Sequence, residues 1–198
     1  MAPEGPLVLP GTYTVRLTVD GKRYTQPLIV RPDPRSHASR VMLAAQDALL
    51  RRLYSGLEAT WADFRLVADL RAAVATLAPQ DTTSELGKAV HALTATMDSI
   101  AGDSLADARE PWDPRPPAWS FASLNGEFAI EVEAQDNADQ MPTRAALAVA
   151  RTSCGDLSKL LARWRTFVQQ DVANFNRLLA RQGKAAVPAP PAQARLCA

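Results

Sequence analysis

The sequence predicts a mainly α protein, an elongated antiparallel helical bundle of four helices, two of them long, preceded by an N-terminal β-hairpin. Three observations lead to this fold class. Hydrophobic residues alternate with polar ones over residues 11–30, and from residue 36 onward they recur every three or four positions. Clustered prolines separate the helical segments. We therefore expect a β-hairpin over 1–35, a helical bundle over 36–183 and a disordered Ala/Pro-rich tail over 184–198.

An Asp-Gly turn defines the hairpin. Asp20-Gly21 lies between two alternating runs, and a type I′ turn needs the positive φ that these residue types tolerate. A two-residue turn pairs Leu17 with Tyr24, so both strands place apolar side chains on one face. Pro27 has no backbone donor, which predicts a sheet edge for the second strand. The predicted interaction face consists of Tyr13, Val15, Leu17, Tyr24, Leu28 and Val30.

The first helix follows an apolar stripe from Ala45 to Leu77, and Pro79 ends it. A helix of about 40 residues is roughly 60 Å long, because each residue adds about 1.5 Å. The segment from Thr82 to Glu85 predicts a capping box at the start of the second helix. Ala101-Gly102 closes that helix.

A proline-rich connection over 103–119 separates the second and third helices. It carries Trp112 and Trp119, which we expect to dock on the bundle because an exposed tryptophan leaves a large apolar area in water. The third helix is predicted over 121–135, although Asn125-Gly126 taken alone favours a turn. Helical periodicity and local turn chemistry therefore compete in this segment.

The fourth helix is predicted to begin after Thr143, its N-cap, and to end near Gly183. The heptad spacing of its apolar residues is typical of coiled coils. Trp164 falls on this stripe and Trp61 on that of the first helix, so we place both in the core. Short connections favour antiparallel neighbours. The second and third helices either lie side by side against part of the long pair, or lie end to end in a three-layer rod.

Composition and charge exclude several classes of function. A net charge of +1 gives no electrostatic case for binding nucleic acid. No apolar run is long enough to span a bilayer, and the first residues lack the features of a signal peptide, so the chain as written is predicted to be cytoplasmic. Cys154 and Cys197 have no metal-like spacing, and we expect two free thiols without a role.

No pattern of catalytic, cofactor-binding or metal-ligating residues occurs. The two histidines are His37 and His91, and neither shares a helical face with a second ligand. Glu127, Glu131 and Asp136 lie close together on the third helix, where we favour a solvated acidic face over an acid/base pair. Phosphate-binding loops, nucleophile elbows and zinc motifs are missing. We therefore predict that the chain is not an enzyme and binds no cofactor or metal.

Residues 10–35, PGTYTVRLTVDGKRYTQPLIVRPDPR, resemble the closing hairpin of an immunoglobulin-like module. That module lies near the C-terminus of large bacterial proteins with sortilin-like BNR-repeat β-propellers, which are often labelled glycosyl hydrolases. Further motifs are similar to the helical region of that family and occur in the same order. They are Leu124-Asn125-Gly126, Asp139, Pro142-Thr143, Leu161 to Trp164, Asp171, Asn176, Leu178, Leu179 and Gly183. Ala173, at a position where the family has proline, departs from the pattern.

The resemblance implies that the hairpin is a remnant of an immunoglobulin-like sandwich, whose other strands and propeller come earlier in the family. We accordingly expect a non-enzymatic structural or protein-interaction module, the C-terminal piece of a propeller-type protein. The alternative is an accessory part of a glycosyl hydrolase-like assembly whose active site lies outside this chain. The expected partner is a protein, either a second copy in a homo-oligomer or a propeller or sandwich partner. The resemblance also allows an exported parent protein.

Overall fold

A computed structural model describes residues 5–102, 118–191 and 197, and it confirms the mainly α fold behind an N-terminal hairpin. The strands are β1 (Gly11–Val19) and β2 (Lys22–Val30). The helices are α1 (Arg40–Ala75), α2 (Glu85–Ala101), α3 (Phe121–Gln135), α4 (Arg144–Phe167) and α5 (Ala173–Arg181), with a π-helical turn (Val168–Val172) between the last two. The predicted fourth helix is thus one rod with a π turn inside it. None of the described helices has the length and apolarity needed to cross a bilayer.

The register of the hairpin is the one that the turn predicts. Leu17 lies opposite Tyr24 in an antiparallel, two-stranded sheet. Asp20 has φ 48° and Gly21 has φ 75°, which are the positive values that a type I′ turn requires. Pro27 lies opposite Thr14, on a strand that has a neighbour on one side only. The prediction of an edge position for β2 is confirmed.

Helix α2 begins differently from the prediction. Ser84, and not Thr82, is the N-cap, and its Oγ accepts a hydrogen bond from the backbone N–H of Gly87 at 3.1 Å. The predicted capping box is wrong because this cap places Glu85 at the first helical position and Gly87, which has no side chain, at the third. The Glu85 carboxylate pairs with Arg181, 3.0 Å away across the bundle. A Cβ on Gly87 would lie 2.6 Å from the carbonyl oxygen of Thr82, so the tight approach of the chain requires glycine there.

Helices α2 and α3 lie end to end, antiparallel to α1. Three polar contacts between α1 and the other two helices show this arrangement. As the residue number rises from α2 to the end of α3, the contacted residue of α1 moves from its C-terminal part to its N-terminal part. The pairs are Arg71 with Asp98 (2.5 Å), Leu57 with Asn125 (3.1 Å) and Gln46 with Gln135 (2.6 Å). Of the two arrangements that the sequence left open, the structure has the end-to-end rod.

The third rod, α4 with the π turn and α5, returns along the same two helices. Near its start, Ser153 donates a hydrogen bond to Glu131 at 2.6 Å, and near its end Arg181 pairs with Glu85. The predicted N-cap is confirmed, since the Thr143 hydroxyl accepts from the N–H of Ala146. The result is three rods, each antiparallel to the one before it in the chain, with one continuous apolar core between them.

Two tryptophans predicted to be buried have different positions. Trp164 is 3% exposed, whereas Trp61 is 49% exposed and stacks on Phe64 with ring centroids 6.5 Å apart. The prediction for Trp61 is wrong because the buried face of α1 is offset from its most apolar stripe. Near Trp61, the residues of α1 that face the core are Gly56 and Thr60. Both are small enough for α3 to approach closely.

The close approach of α3 has a physical cause in a single pair of residues. A Cβ placed on Gly56 would lie 2.5 Å from the Cζ atom of Phe128, which is fully buried. The Asn125 side chain donates to the carbonyl oxygen of Leu57 and to the Thr60 hydroxyl. These tertiary contacts hold Asn125-Gly126 in helical conformation against the local preference for a turn, and they confirm the predicted third helix.

Gly56→Ala should lower the free energy of unfolding by about 1–3 kcal/mol, the usual cost of overpacking a core. Gly155→Ala is the matched control, because no atom outside the helix's own nearby backbone lies within 4 Å of a Cβ at that helical position. It should raise stability by about 0.5–1 kcal/mol through helix propensity. Urea unfolding followed by circular dichroism measures both changes. Equal effects of the two substitutions would show that the space around Gly56 is not restricted.

Candidate functional site

The six residues of the predicted interaction face lie together on one side of the hairpin, which we call the apolar hairpin face. Four of them, Val15, Leu17, Tyr24 and Leu28, are 49–59% exposed. Tyr13 and Val30 are half-buried at the base, where the Tyr13 hydroxyl donates to the carbonyl oxygen of Leu9 at 2.6 Å. The face therefore remains largely in water beside a bundle that has its own complete core.

The opposite side of the hairpin is polar and positively charged. The pairing places Thr18 opposite Arg23 and Arg16 opposite Thr25 on this side. Ile29 is its one large aliphatic residue and is 64% exposed. The contrast between the two sides is typical of a sheet that packs against a partner through one face only.

The two outer edges of the hairpin differ in what they offer to another strand. Antiparallel pairs alternate between hydrogen-bonded and non-hydrogen-bonded, and the closing pair of a two-residue turn is hydrogen-bonded. Thr14 and Pro27 form a non-hydrogen-bonded pair by this count, so their backbone nitrogens face outward. The edge of β2 lacks a donor at Pro27, whereas the edge of β1 carries a complete row of donors and acceptors.

The hairpin joins the bundle at the start of α1 and the loop between α3 and α4. The Gln46 side chain, which is 7% exposed, donates to the carbonyl oxygens of Gln135 and Ala138 at 2.6 and 2.7 Å. The Ser36 hydroxyl donates to Asp139 at 2.6 Å. A cavity of about 350 Å³ lies at this junction, between residues 7–10, residues 30–33 and the bundle. The Ser36 contact ties the segment between β2 and α1 to the α3–α4 loop, and the shared cavity places the base of the hairpin beside this end of the rods.

Two carboxyl groups at the junction have shifted pKa values. The Arg35 guanidinium, 2.8 Å from Asp33, holds the pKa of that carboxyl below its usual value. Burial raises the pKa of Asp136 in the loop after α3. The first group is part of an exposed ion pair and the second has a desolvation shift alone. Neither arrangement amounts to an acid/base pair.

The other residues considered for chemistry are apart from one another. His37 and His91 are both exposed, as expected for His91. The prediction of a solvated acidic face on α3 is wrong, because Glu127 is 6% exposed and Glu131 accepts a hydrogen bond from the fully buried Ser153. Over the ranges that the structure describes, no three His, Cys, Asp or Glu side chains are grouped to hold a metal ion.

The tryptophan that ends the connection docks on the bundle, as predicted. Trp119 is half-buried against the core, and its indole N–H donates to Asp156 of α4 at 2.9 Å. Trp112 lies outside the described residues. The contact of Trp119 fixes the start of α3 against the third rod.

The cysteines form a disulfide, so the prediction of two free thiols is wrong. Cys154 of α4 and Cys197 are bonded with their Cα atoms 5.6 Å apart, although 43 positions separate them in the sequence. Spacing in the sequence carries no signal for this pair. The bond is compatible with the course of residues 187–191, which run back along the third rod from Asn176 toward Leu161.

The prediction of a disordered tail also fails for the described residues of that segment. Val187 is 5% exposed, and its backbone N–H and C=O both pair with the Asn176 side chain. Pro190 and Pro191 line a narrow cleft with residues of α4. We call residues 187–191 the strap. The protein thus has two surfaces with a defined geometry, the apolar hairpin face and the strap with its seat.

Comparisons of the chain with known protein families, curated proteins and solved structures return no match. The resemblance to propeller proteins therefore stays a prediction, and the function is inferred from the two surfaces.

Proposed function

We propose that this protein is a non-enzymatic protein-interaction module, the C-terminal piece of a propeller-type protein, whose hairpin docks on a β-sheet partner. One observation carries the proposal: the apolar hairpin face stays exposed although the sequence pattern of both strands is that of a buried face. A two-stranded ribbon alone is marginally stable in water. Its consistent apolar pattern is explained if a partner covers it.

The energetic gain from covering the face is large compared with the stability of a hairpin. Burying a side chain of this size fully is worth about 1.5–3 kcal/mol. Roughly half of the surface of Val15, Leu17, Tyr24 and Leu28 is still in water. Covering these four residues therefore contributes on the order of 5 kcal/mol. When the chain is alone, a second copy is the partner that supplies this cover.

The edges of the hairpin favour one geometry of docking. A partner strand that pairs with β1 meets a complete row of backbone groups, whereas one that pairs with β2 meets the gap at Pro27. The polar side, with Arg16 and Arg23, stays in water. This is the geometry of an immunoglobulin-like sandwich restored in trans.

The disulfide supports an oxidising compartment for the mature protein. Such bonds persist in secreted and periplasmic proteins and are rare where thiols are kept reduced. The bond between Cys154 and Cys197 therefore favours the exported parent that the resemblance allows over a cytoplasmic chain. Thiol titration of the unreduced protein purified from its native host tests this step, and two reactive thiols per chain would contradict it.

Replacing Val15 and Leu17 together by glutamate should convert self-associated chains into monomers, because two charges on the apolar hairpin face cannot be buried against a partner. The control carries the same charges on the same strand, as Thr14→Glu with Thr18→Glu on the opposite face. Sedimentation velocity at high micromolar concentration measures the mass, and circular dichroism verifies the helical signal.

The proposed edge is tested in the same experiment. Thr14→Pro removes an outward donor from β1, and Thr25→Pro removes one from β2. Weaker association with the first substitution alone supports pairing through β1. If the unmodified chain already sediments as a monomer at high micromolar concentration, self-association through the hairpin is disproved.

A further inference from the structure

One stripe of the third rod holds the C-terminal segment. Cys154, Leu161 and Val168 follow each other at intervals of seven, and Asn176 comes eight positions later. The π turn between Val168 and Val172 accommodates the extra residue, so Asn176 stays on the same stripe. Single π turns within α-helices occur frequently at functional sites. The π turn therefore places the Asn176 side chain in line with the apolar residues of this stripe.

Asn176 binds the backbone of the strap through two hydrogen bonds. The N–H of Val187 donates to Oδ1 at 2.9 Å, and Nδ2 donates to the carbonyl oxygen of Val187 at 3.0 Å. A side-chain amide that pairs with both backbone groups of one residue recognises an extended chain whatever its sequence. Specificity then comes from the pocket that buries the Val187 side chain to 5% exposure.

The prolines of the strap occupy the next part of the stripe. Pro190 and Pro191 face Leu161, Trp164 and Val168 across a cleft of about 40 Å³. A tryptophan and aliphatic side chains form the kind of surface that binds the preformed, low-entropy conformation of proline-rich segments. The seat therefore combines a backbone clamp, an aliphatic pocket and a proline cleft.

We propose that this seat is a peptide-binding groove for an extended, proline-containing segment of another protein, and that the strap closes it while the disulfide is intact. The disulfide holds the strap beside its seat at both ends, so a free peptide competes poorly with it. In an oxidising compartment the reductant is the dithiol of an exported thiol–disulfide oxidoreductase: exchange yields two cysteine thiols on this chain, and the dithiol of the oxidoreductase becomes a disulfide. The strap then competes as a singly tethered ligand, at an effective concentration of roughly millimolar.

A foreign segment is favoured over the strap of a second copy. Two identical straps make identical contacts, so the strap of the same chain prevails through its tether. A segment of a partner protein can add contacts outside the seat. The partner chemistry is an aliphatic residue followed by prolines at the third and fourth positions, as in the sequence from Val187 to Pro191.

The test uses the full chain with Val187→Asp and Cys197→Ser, which frees the strap from the pocket and from the disulfide. The probe is a dye-labelled peptide with the sequence of residues 185–192, followed by fluorescence anisotropy. We expect saturable binding that weakens about tenfold when Asn176→Ala is added, as loss of the two hydrogen bonds predicts. Asn174→Ala is the matched control, since Asn174 is exposed on the same helix and pairs with Arg177.

The remaining measurements compare the open variant with the unreduced wild-type chain and with the reduced chain. The unreduced wild-type chain should bind the probe at least about tenfold more weakly than the open variant. A folded open variant without saturable binding, or equal binding with Asn176→Ala, would overturn the proposal. If the open variant loses its helical signal, the titration is made on the milder Val187→Ala variant with dithiothreitol, in which the weakened strap competes less with the probe, and absence of any increase over the unreduced variant has the same meaning. Dimers of the reduced wild-type chain that Asn176→Ala abolishes would assign the groove to a second copy instead.

Discussion

Trp164→Ala should lower the free energy of unfolding by about 3–5 kcal/mol, the range for deleting a large aromatic side chain from a packed core. Trp164 is 3% exposed and stacks on Phe167, with ring centroids 5.6 Å apart and an angle of 21° between the planes. Its loss removes core contacts between the rods and also one wall of the proline cleft. Chemical denaturation followed by circular dichroism at 222 nm measures the change.

The matched control is Trp61→Ala, which deletes the same side chain from a position that is 49% exposed. We expect a loss below about 1 kcal/mol, because much of this side chain already contacts water in the folded state. The comparison separates burial from residue type, since both tryptophans lie on apolar stripes of long helices. A loss below about 1 kcal/mol for Trp164→Ala would place that residue at the surface.

Cys197→Ser should destabilise the oxidised protein by about 4 kcal/mol, the loop-closure entropy expected when 43 positions separate the linked residues. The broken link also frees the C-terminal end of the strap. Cys154→Ser should have a closely similar effect, because each substitution removes the same bond. Thermal unfolding of the unreduced wild type and of both variants measures the losses.

The double variant is the control for this prediction. Cys154→Ser with Cys197→Ser should be about as stable as either single variant, since the interaction between directly bonded residues is lost only once. Reduced wild type should match all three. A double variant that loses the sum of the two single effects would show that the cysteines act independently and are not bonded in solution.

Much of the fold could be predicted from the sequence because it depends on neighbours in the chain. The register of the hairpin follows from Asp20-Gly21, whose backbone preference sets the pairing of both strands. The N-cap at Thr143 follows from a hydroxyl near the backbone N–H of Ala146. The six residues of the apolar hairpin face share one side because alternation in a strand has a period of two. These interactions are local, so their signals lie within a few residues.

Other features were decided only by the tertiary structure. The buried face of α1 is offset from its apolar stripe because Phe128 of α3 needs the space over Gly56. Helices α2 and α3 lie end to end, an arrangement that helical periodicity alone did not select. Glu127 is buried although its spacing favoured a solvated face. Each of these outcomes depends on which rods become neighbours, and hydrophobic pattern does not contain that information.

The sequence by itself determined the hairpin with its face, the helices and the mainly α class, whereas the tertiary structure decided the strap. An isolated tail rich in Ala and Pro has too little apolar surface to offset its conformational entropy, which is why it resembles a disordered segment. The pocket for Val187, the amide of Asn176 and the bond from Cys197 to Cys154 supply the missing free energy. These partners lie on one stripe of the third rod, so residues far from the tail in the sequence hold it in place.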